Sequence, residues 1–166
     1  MVRDEADRPW YDKLTVRIVS SAPGASFFRK VTHRIDTPLL RLTGGRFSFA
    51  RDLPVLLLTT TGAKSGRTRT VPLLYIETDD AIAIIGSRFG STKHPGWYHN
   101  LRADPRATVE IKGERTARVA RPANADERAE IWSRAVKMYS GYDKYAQRAN
   151  RKIPVMVLAP ADGAGA

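Results

Sequence analysis

The sequence predicts a mainly β chain of the α+β class, an antiparallel barrel with flanking helices outside it and an N-terminal helical arm ahead of it. Three observations carry this. About six runs rich in β-branched and apolar residues follow one another between Leu53 and Pro160. Helical periodicities fall before the first run or singly between later ones, without the regular βαβ alternation of a doubly wound parallel sheet. The 12 glycines and 10 prolines punctuate the chain and keep the runs short. No internal repeat is present.

Ahead of the barrel, Phe27, Phe28, Val31, Ile35, Leu39 and Leu42 fall at helical spacing with Arg29, Lys30, Arg34 and Arg41 between them. This is the pattern of a basic amphipathic helix, interrupted near Pro38. A weaker helical stretch covers residues 11–19. Residues 1–45 are thus expected to form the arm, 46–160 the barrel domain, and 161–166 a tail without fixed structure.

The first strands are expected at residues 55–61, 70–78 and 81–86, the second and third joined by a tight turn at Asp79-Asp80. Pro95 opens a short helix through Trp97, Tyr98 and Leu101, which Ala103-Asp104-Pro105 ends. Strands at 107–112 and 116–120 meet at a Gly113-Glu114 turn. Asn124 or Asp126 caps a helix running through Ile131, Trp132, Val136 and Tyr139, and a last strand falls at 155–158.

A chain of 166 residues suits one core with one cleft. No stretch approaches the roughly 18 consecutive apolar residues of a membrane span. The first twelve residues mix acids and bases where a secretory signal would be apolar, so a cytoplasmic protein is expected, peripheral at the inner face of the plasma membrane if its arm binds there. Cysteine is absent, which excludes disulfides, thiolate nucleophiles and Cys-ligated metals. The formal charge of +11 and pI near 10.3 suit a polyanionic partner: nucleic acid, an acidic membrane surface, or a ligand bearing phosphate and carboxylates. A basic solvated surface with no specific partner is the plain alternative.

The most informative segment is Thr59-Thr60-Thr61-Gly62-Ala63-Lys64-Ser65-Gly66-Arg67-Thr68-Arg69. Its glycines, hydroxyls and bases in a strand-to-strand connection could surround an anion, although an ordinary basic hairpin would look similar. It lacks the glycine spacing of a Walker loop. Ser87-Arg88-Phe89-Gly90-Ser91 and Lys93-His94-Pro95-Gly96-Trp97 lead into a helix N-terminus; there Trp97 offers either a flat wall for a conjugated ring or a core residue. Tyr139, Tyr142 and Tyr145 recur at threes, so one helix would bring them to one face, for aromatic packing or for donation to a reducible oxygen. His33, His94 and His99 have no metal-ligand spacing, and neither GxSxG nor GxGxxG occurs.

With "TTTGAKSGRTRTVPLLY", "KHPGWYHNL" and "IPVMVLAP", the sequence from about Leu53 to Pro160 resembles the deazaflavin (F420)-dependent nitroreductase and F420H2-dependent quinone reductase family of actinobacteria. The resemblance implies a split β-barrel similar to flavin-binding split barrels, with coenzyme F420 in a surface groove. It implies that Lys64, Ser65, Gly66, Arg67 and Arg69 hold the coenzyme's phosphate and glutamate tail. Pro72, Ser87, Arg88, Trp97 and Asn100 would line the deazaflavin. Tyr139, Tyr142 and Tyr145, with Ser87, would serve catalysis on the acceptor side. Arg88-Phe89 departs from the lysine and small residue common in relatives, so the acceptor pocket is expected to be reshaped.

The implied reaction is hydride transfer from reduced deazaflavin to a quinone-like acceptor, menaquinone above all, or to a nitroaromatic. No nucleic acid and no metal are expected. The rivals are an FMN-dependent enzyme on the same barrel and a non-enzymatic binder of acidic membrane or nucleic acid.

Overall fold

The computed structural model describes residues 53–161. The expected arm at 1–45 and nearly all of the expected tail lie outside the described residues. Six strands are present: β1 (Val55–Thr61), β2 (Thr68–Glu77), β3 (Ile82–Ile85), β4 (Arg106–Ile111), β5 (Glu114–Pro122) and β6 (Val155–Pro160). Every neighbouring pair is antiparallel, and the order β1-β2-β3-β6-β5-β4 closes into a barrel where β1 meets β4. Closure leaves no unpaired edge, the standing hazard of antiparallel sheets. Among the described residues, helices α1 (Gly96–Ala103), α2 (Ala125–Met138) and α3 (Gly141–Ala149) and a 3-10 turn (Arg88–Gly90) occupy the connections.

Strand alternation divides the apolar residues into two cores. Leu56, Leu58, Tyr75, Ile84, Val109, Met156 and Leu158 fill the barrel, and α1 adds Trp97 and Leu101 to them. Leu58 is wholly buried, a burial worth about 1.5–3 kcal/mol. The opposite faces of β2, β3 and β6 present Ile76, Ala83, Ile85, Val155 and Val157 to Ile131, Ala135 and Met138 of α2 and to Tyr142, Tyr145 and Ala149 of α3. The second core thus fixes α3 against the outside of the barrel.

Local expectations hold with three corrections. The β4–β5 register pairs Ile111 with Glu114, so the turn is Lys112-Gly113 and not Gly113-Glu114; their φ values of 51° and 90° fit the left-handed central positions of a tight hairpin. Strand β2 starts at Thr68 and β5 runs on to Pro122, because the ladders with β1 and β6 extend that far. The helix expected through Tyr139 ends at Met138. Tyr139 is extended (φ −153°, ψ 101°), and Ser140-Gly141, weak helix formers, restart the chain as α3, which was not foreseen. Gly141 is required there, since a Cβ would collide with the Tyr139 ring.

Of the two candidate caps for α2, Asn124 fills the position. Its side chain accepts from the Glu127 N–H at 2.9 Å while its own N–H donates to the Glu127 carboxylate at 2.8 Å. Arg121 grips the same carboxylate with two bonds of 2.7 and 2.6 Å. The ordinary carboxylate pKa of Glu127 is thereby pulled down to about 2, by Arg121 first and the Asn124 N–H second.

Candidate active site

The topology gathers the loops of interest at one end of the barrel. β1 and β2 leave toward the 62–67 connection. β3 runs antiparallel to β2, with Ile84 opposite Tyr75, so its exit at 86–95 returns to that end, and β6 enters from there with Val155 opposite Ile85. Segments 62–69, 86–100 and 148–154 together hold eight lysines and arginines and no aspartate or glutamate. Lys64, Arg67 and Arg69 are exposed and form no ion pair among the described residues. Three exposed cations without counterions on one loop have the chemistry to attract a polyanion.

The basic loop is closed on itself by Gly62 N–H to Arg67 O (2.9 Å) and Gly66 N–H to Gly62 O (2.8 Å). Asn100 of α1 ties it to the barrel: its Oδ1 accepts from the Ala63 N–H at 3.0 Å and its Nδ2 donates to Thr60 Oγ1 at 3.0 Å. Both ends of the Asn100 amide are therefore engaged in holding the loop. Ser65 lies exposed in the loop, its Oγ 3.4 Å from the Arg67 N–H. Pro72 is half-buried, paired in register with Leu57, on the β2 face that also carries Thr70 and Leu74. Trp97 is buried in the barrel core, its ring edge-on to Tyr98.

At the exit of β3 the chain makes an unusual turn. Arg88, Phe89 and Gly90 all have positive φ, at 48°, 55° and 76°. For the two residues other than glycine this costs on the order of 1–3 kcal/mol each, and such strain concentrates at functional sites. The turn rests on α3: the Phe89 ring meets Tyr145 edge-on at 5.9 Å, and a Cβ on Gly90 would lie 3.2 Å from Tyr145 Cα. Arg88 donates to the His94 carbonyl at 3.0 Å. Ser87 is buried, and its Oγ has no hydrogen-bond partner among the described residues.

The three tyrosines do meet, although not along one continuous helix. Tyr139 lies at the break and Tyr142 and Tyr145 on α3, with Tyr139 and Tyr145 sharing a hydrogen bond of 2.8 Å between their hydroxyls. The Tyr142 ring stands perpendicular to Tyr139 at 5.7 Å and to Tyr145 at 6.4 Å. All three are buried in the second core. Burial, and then the neighbouring Tyr145, push the Tyr142 phenol well above its usual pKa, and its hydroxyl makes no hydrogen bond among the described residues.

A family model described as F420H(2)-dependent quinone reductase matches residues 28–160, all six strands included. The chain belongs to the F420H(2)-dependent quinone reductase family. It is similar to the F420H(2)-dependent quinone reductase of Mycobacterium tuberculosis (strain ATCC 25618 / H37Rv), 37% identical over 131 residues, covering 75% of this chain and 87% of that protein. Among solved structures it is similar to an F420-H2 dependent reductase at 40% identity, over 63% of this chain and 93% of that one, with a TM-score of 0.58. A chain described as a domain-swapped dimer aligns at 35% identity over 76% of this chain and 98% of its own, with a TM-score of 0.60.

As a member of the quinone reductase family the chain is an F420-dependent oxidoreductase on a split barrel. The residues present fit that coenzyme by their chemistry: uncompensated cations on the 62–69 loop suit its acidic tail, and the unpartnered buried Ser87 hydroxyl lies beside the strained turn. Sequence reasoning missed Arg151, which reaches from the end of α3 to the 86–94 loop. The one signal available was its place in an Arg151-Lys152 pair directly ahead of the matching "IPVMVLAP" segment.

Proposed function

We propose that this quinone reductase family member binds reduced F420 at the cationic end of its barrel and reduces a menaquinone-like quinone, with nitroaromatics as adventitious acceptors. The observation that carries this is the set of eight cations and no acids on the three segments at that end. F420 supplies, when bound and reduced, a hydride that moves as an electron pair. Lys64, Arg67 and Arg69, with Ser65 and the Gly66 N–H, hold the acidic tail. Asn100 fixes the loop that carries them, while Pro72, Ser87 and Arg88 border the ring and Trp97 backs the site from within the barrel. FMN, with a single phosphate, would leave most of these cations unmatched.

The hydroxyls of Tyr142 and Ser87 are the donors for the acceptor oxygen that becomes negative, with Tyr139 and Tyr145 fixing the ring of Tyr142. The basic amphipathic stretch from Phe27 to Ile35 suits an anionic membrane surface, where a lipid quinone dissolves.

Anaerobic mixing of protein and reduced F420 with menadione or with a nitroaromatic tests the assignment. The quinone should reoxidise F420 at least about tenfold faster than the nitroaromatic, a transition-state preference of about 1.4 kcal/mol. No quinone-dependent oxidation, or equal use of reduced FMN, would contradict it.

A further inference from the structure

We propose that Arg151 is a positioning residue of the coenzyme site, its guanidinium holding the left-handed turn that presents Ser87 and Arg88. The proposal rests on the reading that this turn borders F420. Helix α3 ends at Ala149, and its C-cap Asn150 is left-handed (φ 47°) and turns the chain back toward the exit of β3. From there Arg151 Nε donates to Ser91 O at 3.0 Å and Nη2 to Gly86 O at 2.9 Å, with longer contacts of 3.3 Å to Ser87 O and Lys93 O. Its Nη1 lies 3.1 Å from His94 Nδ1. A guanidinium cannot accept, so the His94 Nδ1 lone pair does, which makes His94 neutral with its proton on Nε2.

The turn needs such a brace. Its own bonds are Gly90 N–H to Ser87 O (3.0 Å), Ser91 N–H to Arg88 O (3.1 Å) and Arg88 Nη1 to His94 O (3.0 Å), and two of its residues occupy a sterically costly region. Arg151 adds ties from both ends, at Gly86 before the turn and at Ser91 and His94 after it. The task depends on shape as well as charge: a planar fork with five donors spans these acceptors, and an ammonium does not. Arg151 also forms no ion pair with an acid among the described residues, and Arg88 is close enough to repel it. An anionic coenzyme beside the turn would offset both charges.

The test compares Arg151→Lys and Arg151→Ala with the wild type by fluorescence titration with F420 and by amide hydrogen exchange across residues 86–94. Arg151→Ala should weaken F420 binding about 10- to 100-fold and Arg151→Lys about five- to tenfold, since lysine keeps the charge and loses the fork. Millimolar guanidinium, with matched salt as control, should restore binding to Arg151→Ala. Exchange protection over 86–94 should fall in both variants without coenzyme present, and turnover at saturating F420 should change far less than affinity.

Lysine binding as tightly as wild type, or unchanged protection of the turn, would overturn the positioning role. Should Arg151→Ala not fold, Arg151→Lys decides by the same two readouts. Wild-type protein that fails to bind F420 overturns the functional reading and this role with it. Wild-type binding, with equal affinity in both variants, overturns the Arg151 role alone.

Discussion

The hydroxyls of Ser87 and Tyr142 are both buried and both lack a partner among the described residues. A dry, unpaired hydroxyl costs about 1–3 kcal/mol, and on the proposed function both hydroxyls gain their partner from the acceptor. The proposed role of Tyr142, to donate a hydrogen bond to a nascent oxyanion, suits a phenol that burial holds protonated. Tyr142→Phe should leave the melting temperature unchanged or raised and F420 affinity nearly constant, while hydride transfer to a quinone falls about 10- to 100-fold. Stopped-flow oxidation of bound reduced F420, beside thermal melting of the same variant, measures both; an unchanged rate would shift the donor role to Ser87 or solvent. That three tyrosines would meet was readable from their spacing. How they meet was not, since the break at Ser140-Gly141 depends on the Tyr139 ring lying against a glycine, a tertiary contact no local pattern announces.

Among the elements, the 86–94 loop is the one whose order should depend on pH. The His94 pKa is held below its usual 6.5 by burial first, then by Arg151 and His99, and the groups around it are cationic or neutral: Arg151, Arg88, Lys93, Tyr98 and His99. With the folded pKa below the unfolded one, acidification below pH 6.5 protonates the unfolded or open chain first, so stability is lost as pH falls through that window. Protonation also removes the lone pair that accepts from Arg151. Exchange rates over 86–94, corrected for intrinsic pH dependence, should show the loop opening more easily below pH 6.5 in the wild type and not in His94→Asn. Parallel profiles would refute this. Glu127 cannot mimic the effect, because its depressed pKa contributes stability above 4.5 that is lost only as pH falls toward about 2. The strands were readable because their apolar alternation is the barrel's own inside-outside division. The Lys112-Gly113 turn and the α2–α3 break were not, being set by ladder register and side-chain packing.

At the scale of the whole molecule, the formal charge of +11 acquires a location: the three segments that topology folds to one end of the barrel contribute eight cations and no acid. Composition alone left nucleic acid, membrane and anionic ligand open. Strand order was what the sequence could not supply, because the segments that carry residues 64, 88 and 151 come to one end of the barrel only through the pairing of β3 with both β2 and β6. The exposed cluster of Lys64, Arg67 and Arg69 was readable from its loop, whereas Arg151 was hidden because its partners are carbonyls of a distant segment. Exposed charges of this kind are screened over a Debye length of about 8 Å at physiological salt, so their contribution to binding must fall as salt rises. The central claim is that this end of the barrel holds F420, and fluorescence titration of the protein with F420 and with FMN, each at low and high salt, tests it most directly. The expected result is F420 bound at least about tenfold more tightly than FMN, with the preference shrinking as salt increases. Equal affinity for the two coenzymes, or an F420 affinity indifferent to salt, would contradict it.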